Sequence, residues 1–278
     1  MTEIARVAVT DLNQAEFERR YVRRGVPVVI EALVADSPAL GKWTTDFWHR
    51  EFGDRAFPIM VTDRTWFDNI DEPHLVAMRL AKYIEALSAP DYRQSPVKYY
   101  LSNLSLDERF PELRDDIQAI RLYRPQDLQA RILFFGRDSE AQCHFHPTSQ
   151  AILTQVQGEK RVDMFPPSQT RYLYPHSLRH PRYNFSRVSI GAPDAALHPR
   201  FREARPQSVV LRPGDGLFIP IHWWHYVRGL DFSTSVTYFF RSNPHEWKLN
   251  RPALSSVLRT IYHKLRPSDH SHYSTYRR

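Results

Sequence analysis

The sequence predicts a mainly β fold: a double-stranded β-helix, or jelly roll, with an N-terminal α/β elaboration and a C-terminal helix. Three observations predict it. From Ala130 onward, short apolar strands alternate with turns rich in Gly, Pro and Asp, the pattern of an antiparallel barrel or double-sheet jelly roll. Within that run, two separated stretches carry histidines at strand spacing: Cys143-His144-Phe145-His146 through Gln150, and Gly214-Asp215-Gly216 through His225. Before Ala130, helical and strand-like segments alternate, and after Pro252 a single amphipathic stripe remains.

Taken in order, Asn13 to Val22 has apolar residues at helical spacing, and Pro27-Val28-Val29-Ile30 reads as a buried strand behind Gly25. Trp43 to Trp48 starts a helix capped by Thr44 or Thr45 and ended by Gly53. Phe57–Val61 and Val97–Leu101 read as strands, Leu75–Leu87 and Leu113–Leu122 as helices. The strands of the β-rich half are expected over 131–135, 142–146, 151–156, 161–165, 208–211, 216–219, 225–228 and 233–240. The interval 166–207 is long and irregular, either a functional lid or a surface excursion. After Pro252, Leu254, Val257, Leu258, Ile261 and Leu265 share one stripe, which either covers the barrel or forms a homodimer contact. Residues 267–278 are polar and expected to fray. No internal repeat or linker divides the chain, so one domain is expected over 1–278, with a jelly-roll core at 130–245.

Composition bounds the function. A hydrophobic content of 42% supports a sizeable core, and the lone cysteine rules out an internal disulfide framework. No window of about 18 apolar residues exists to span a membrane, and Met1 to Asp11 lacks the apolar run of a secretory signal. A cytoplasmic protein is expected. The net charge of +7 suits either a merely basic surface or an acidic or nucleic-acid partner, with concentrations at 179–205 and 251–278.

Alternate side chains on a strand share a face, so His144 and His146 point one way while Cys143 and Phe145 point the other. Two imidazoles on one face make half a metal site, and His225 is the best-placed third ligand. Imidazole suits Zn, Cu, Fe or Ni, so residue type alone does not choose the metal. Cys143 is expected as a small buried hydrophobe, and His176, His180 and His198 as surface residues.

With both stretches in view, the chain resembles the cupin superfamily and, within it, the JmjC-type oxygenases. The subgroup it looks most like contains the asparaginyl hydroxylase that acts on hypoxia-inducible factor. His144-Phe145-His146, Gln150 and Gly158 match the first cupin motif, and Gly214, Pro220 and His225 the second. The JmjC character lies in 155–161, Phe165-Pro166-Pro167 and Pro220 to His225. Arg24 to Ile30, Trp43, Tyr99-Tyr100-Leu101 and Phe110 to Leu113 extend the likeness over roughly residues 14 to 245.

The resemblance implies an Fe(II) centre and 2-oxoglutarate as cosubstrate, with O2 and an organic, polypeptide or RNA substrate. Carried over residue by residue, His144 and His225 take the two histidine positions, Lys160 the cosubstrate lysine, and Tyr100 and Thr237 polar cosubstrate contacts. The threonine usual three positions before the first histidine is Ala141 here. His146 stands where the family has a carboxylate, leaving the metal one charge more positive. Two alternatives follow: a three-histidine metalloenzyme without 2-oxoglutarate, in which Gln150 is a ligand or near-ligand, and a non-catalytic binding barrel. His222 is read as structural or substrate-facing. Asp68, Asn103 and the 166–207 segment are candidates to line a substrate groove.

Overall fold

The structure, a computed structural model, describes residues 2–62, 74–243 and 246–265. In chain order its strands are β1 (Thr2–Glu3), β2 (Arg6–Ala8), β3 (Val28–Glu31), β4 (Ala56–Thr62), β5 (Leu75–Arg79), β6 (Lys98–Ser105), β7 (Leu128–Arg137), β8 (Glu140–His144), β9 (Ser149–Gln157), β10 (Lys160–Phe165), β11 (Gln207–Leu211), β12 (Gly216–Ile219), β13 (Trp224–Gly229) and β14 (Phe232–Arg241). The α-helices are α1 (Gln14–Phe17), α2 (Ala39–Lys42), α3 (Thr45–Phe52), α4 (Leu80–Ser88), α5 (Leu106–Arg109) and α6 (Arg251–Leu265). Two sheets face each other in the orders β1-β11-β10-β13-β8 and β2-β3-β12-β9-β14-β7-β6-β4-β5. The strands from β7 to β14 form the expected mainly β jelly roll; β2 to β6 extend its larger sheet on both sides, and β1 adds to the smaller one beside β11.

Local chemistry explains the elements that agree with expectation. Asn13 accepts from the Glu16 amide while the Glu16 side chain returns to the Asn13 amide, a capping box that starts α1; the chain then widens into a π turn over Glu18–Val22. Thr44 accepts from the Phe47 amide at 3.1 Å and starts α3, which buries Phe47, Trp48 and Phe52. Trp48 packs edge-on to Trp43 and Phe110, with ring centroids 5.3 and 5.2 Å away. Phe135 of β7 joins this cluster from the barrel side. The Tyr83 hydroxyl donates to the Phe135 carbonyl and accepts from the Leu101 amide, tying α4 to β7 and β6.

Two helix expectations are corrected. Residues 75–79 form β5, paired antiparallel with β4, and only Leu80–Ser88 is helical. Leu113–Leu122 is not an α-helix: a 3-10 turn spans Pro111–Asp116 and the chain then extends. Long-range partners took its polar groups. Asp116 accepts from the Trp43 indole, Ser37 accepts from the Gln118 amide, and the Gln118 carbonyl accepts from the Tyr238 hydroxyl. Leu113, Ile117, Ile120 and Leu122 are buried nonetheless.

The C-terminal stripe does not cover the barrel. α6 turns Ala253, Ser256 and Arg259 inward, and the Arg259 guanidinium donates to the Leu178 and Arg179 carbonyls. Leu254, Val257, Leu258 and Ile261 face solvent, each 42–51% exposed. The side chain of Leu265, residues 267–278 and Asp68 lie outside the described residues. No described helix is long and apolar enough to cross a membrane.

Candidate functional site

The metal-site geometry begins with a register. In the antiparallel pair β8/β13, His225 lies opposite His144, and on its other side His225 lies opposite Met164 of β10. Two residues further along β13, Val227 lies opposite Ala141, three residues back from His144 on β8, so a bulge falls just before His144. The bulge lets Ala141 and His144 both address the barrel. β8 ends at His144, short of the expected His146, yet both rings reach the same place. His144, His146 and His225 each offer a ring nitrogen, all within 4.8 Å of one another, a group able to hold a metal ion.

The connection leading from β12 to His225 turns at Pro220–Trp223, where the Trp223 amide donates to the Pro220 carbonyl. His222 supplies the positive φ, 66°, that a type II turn requires at its third residue. Its ring is fully buried edge-on to Phe145 and Trp247, its Nε2 lies 3.2 Å from the Pro147 carbonyl, and burial lowers its pKa to about 4. His222 therefore serves packing. On the outer face, Cys143 and Phe145 pack with Phe165 and Trp224, as the alternation predicts.

Each imidazole is prepared for a cation. His144 Nδ1 pairs with the Gln142 carbonyl at 2.8 Å and His225 Nδ1 with the Trp223 carbonyl at 3.1 Å, which leaves Nε2 of each ring as the free lone pair. His146 Nδ1 is buried without a partner. Burial lowers the pKa of His144 and, with the neighbouring imidazoles adding, pushes those of His146 and His225 well below the ordinary histidine range. Neutral rings are the form that ligates metal. Gln150 is not aimed at this group: its amide donates to Glu246 and accepts from the Tyr123 hydroxyl.

Down the barrel wall, β14 turns Ser235, Thr237 and Phe239 inward in succession. Phe239 lies 5.0 Å from the His146 ring, and Ser235 Oγ accepts from Lys160 Nζ at 2.5 Å. Lys160 is 2% exposed and sits over the Phe134 ring, and burial pulls its pKa down to about 7. Tyr100, also buried, packs its ring 6.4 Å from the same Phe134. Lys160, Tyr100 and Thr237 thus line one interior that runs away from the three histidines. Ser235 was missed by motif reading, although strand alternation with Thr237 could have found it. Asn103 lies apart from this interior, exposed at a bulge in β6 with a φ of 60°.

The irregular 166–207 segment is built onto the site. Phe185 forms a bridge with His144 and stacks on its ring at 5.0 Å. The Phe145 amide donates to the Asn184 carbonyl and the Ser186 amide to the Cys143 carbonyl. His176 and His180 stack on each other at 4.2 Å and His198 packs edge-on to Tyr174, so these rings are held by contacts within the segment and are only partly exposed. Nothing in the local sequence signals that Phe185 covers His144.

A family model described as a cupin-like domain matches residues 14–246. The chain belongs to the cupin-like family. Its sequence is 31% identical to lysine-specific demethylase 8 of Xenopus tropicalis over 81% of this chain and 50% of that protein. It is 26% identical to tRNA wybutosine-synthesizing protein 5 of Danio rerio, over 85% of this chain and 75% of that one. Over 32% of this chain it is 41% identical to HSPB1-associated protein 1 of Homo sapiens. This cupin-like chain spans about half the length of the demethylase relative. The match covers the jelly roll, both histidine stretches and most of the N-terminal elaboration, which identifies a JmjC-type cupin.

Proposed function

We propose that this protein is an Fe(II)- and 2-oxoglutarate-dependent oxygenase that hydroxylates a polypeptide, RNA or small-molecule substrate. One observation carries the reading: a cation-ready group of three neutral imidazoles shares a barrel interior with a buried lysine that, among the described residues, has a hydroxyl partner and no carboxylate. A buried ammonium without a counter-anion is costly, and the distal carboxylate of a 2-oxoacid supplies that anion through a charge-assisted bond.

His144, His146 and His225 would hold the metal, and Lys160, with Ser235, Tyr100 and Thr237, would hold the cosubstrate. Bound there, Fe(II) supplies the O2 chemistry that couples oxidation of 2-oxoglutarate to hydroxylation of a C–H bond. The carbonyls of Gln142 and Trp223 fix the tautomers of His144 and His225. Phe185 shields the outer face of the His144 ring from water. Three neutral ligands leave a divalent ion its full charge, which favours an anionic chelator over a neutral one. A cytoplasmic location belongs to the same reading.

His146 in the usual carboxylate position favours a second reading, a three-histidine metalloenzyme that does not use 2-oxoglutarate. The two separate in an assay of purified full-length protein for bound metal and for Fe(II)-dependent conversion of 2-oxoglutarate to succinate. The first reading expects turnover that collapses in Lys160→Ala. Metal binding without succinate, restored by His146→Asp, would establish the second.

We also propose that the exposed stripe of α6 pairs with the same stripe of a second copy. Leu254, Leu258 and Ile261 repeat at the i, i+4, i+7 spacing of a helix–helix seam, and the helix already spends its other face on the 166–207 segment.

A further inference from the structure

Between Pro166 and Gln207 the chain holds seven arginines and no lysine, against one aspartate and one glutamate. This one segment carries a net +5 of the whole chain's +7. Six of the arginines, Arg171, Arg179, Arg187, Arg200, Arg202 and Arg205, are exposed, and among the described residues none is ion-paired to a carboxylate. Elsewhere the exposed arginines mostly have acidic partners, as in Arg23 with Glu18, Arg55 with Glu112 and Arg93 with Asp138. The charge here is unmatched.

The fold gathers three of these arginines around two tyrosines. Arg187 donates through its backbone and its Nε to the Tyr174 carbonyl, and the Arg200 amide donates to the Tyr174 hydroxyl at 2.9 Å. Arg171 lies over the Tyr172 ring at 4.6 Å. Gln169 exchanges two bonds with the Arg205 backbone, which fastens the 3-10 turn over Pro199–Glu203 to the one over Pro167–Tyr172. His198 stands edge-on to Tyr174 at 4.8 Å. The same ribbon leads to the metal group: Pro175 bridges to Ser186, one residue from the Phe185 that stacks on His144.

We infer that this arginine–tyrosine surface binds single-stranded nucleic acid and leads it to the mouth of the barrel. The residue types decide the partner. Guanidinium forks grip phosphate bidentately and stack on planar groups, which a lysine cannot do. Partly exposed Tyr172, Tyr174 and His198 between them offer π faces for unpaired bases, the usual combination for gripping a single strand. An acidic polypeptide would use the charges and leave the rings without a role. A duplex would keep its bases stacked and out of reach of a barrel interior. The inference rests on the proposed oxygenase only for the fate of a base that reaches the metal, since binding itself needs no turnover.

The test is fluorescence anisotropy on the full-length chain, without 2-oxoglutarate, using an end-labelled mixed-sequence RNA of roughly 12 nucleotides at about 50 mM KCl. Saturable binding is expected, with log K falling by about 0.7 per contacted phosphate for each unit of log salt. The Arg187→Gln/Arg200→Gln/Arg202→Gln triple variant, matched to the parent in thermal melting, should weaken binding roughly tenfold or more and flatten the salt slope by about 2. The control Arg50→Gln/Arg109→Gln, in the N-terminal half, should bind as the parent does. Absence of saturable binding overturns the inference, as does full retention in the triple variant. Equal displacement by poly-glutamate overturns it in favour of an acidic polypeptide. Because succinate formation is read separately, failure here leaves the oxygenase reading standing, and the reverse holds too.

Discussion

His225 lies directly opposite His144 across the β8/β13 pair, with ring centroids 4.3 Å apart. The His146 ring is 4.6 Å from that of His225 and 5.4 Å from that of His144. A residue 81 positions downstream in sequence is thus brought into register with His144 by strand pairing.

The three rings should differ from their surroundings in what they cost metal binding. His144→Ala and His225→Ala are expected to weaken Fe(II) or Zn(II) affinity by more than roughly 100-fold, beyond the 10–100-fold typical of outer partners. Competition with a chromophoric chelator measures this. Unchanged affinity in both variants would remove the metal assignment.

Lys160 should trade stability for function. Burial lowers its pKa from 10.5 to about 7, so above about pH 7 the folded chain has released a proton that the unfolded chain keeps until about pH 10. Stability therefore rises with pH between those values, and the full cost, on the order of 3–5 kcal/mol, is present below about pH 7. Lys160→Met is expected to raise Tm by roughly 5–10 °C near pH 6.5, the gain shrinking toward pH 10. Scanning calorimetry across pH checks it; a gain independent of pH would mean that charge burial is not the cause. Succinate formation should be lost in the same variant.

Gly158 turns β9 into β10 with a φ of +67°, and a Cβ there would sit 1.8 Å from the Phe232 carbonyl oxygen. Gly158→Ala should destabilise by at least about 2 kcal/mol in urea unfolding. Gly41 in α2 has nothing within 4 Å of its Cβ position. Gly41→Ala should instead be neutral or stabilising by up to about 1 kcal/mol.

Leu258→Glu combined with Ile261→Glu puts two charges on the exposed stripe of α6. Sedimentation velocity should show a dimer for the parent chain and a monomer for this variant, with thermal stability of the protomer little changed because Leu258 and Ile261 are each more than 40% exposed. A parent that sediments as a monomer would end the dimer proposal.

The jelly roll, its strand order along the chain and the two histidine stretches were legible in the sequence because each depends on short-range rules. Period-two alternation placed His144 and His146 together and set Cys143 and Phe145 on the other face. Turn chemistry set the strand ends, with Gly158 between β9 and β10 and Gly214 between β11 and β12 taking positive φ where the chain crosses from one sheet to the other. The lysine at 160 stood out only through the resemblance to the JmjC-type oxygenases.

Tertiary structure alone decided the rest. Residues 75–79 became a strand because β4 offered a pairing edge, and residues 113–122 lost their helix because Ser37, Trp43 and Tyr238 took up polar groups at Asp116 and Gln118. No periodicity reports such long-range partners. Gln150 sits at a motif position yet is drawn to Tyr123 and Glu246, while Ser235 meets Lys160 from a strand 75 residues away. α6 has the same apolar stripe whichever face it docks, and only its contacts show that the small face of Ala253, Ser256 and Arg259 went inward. Local propensity sets what each segment can form; which groups meet across the barrel is set by the register of distant strands.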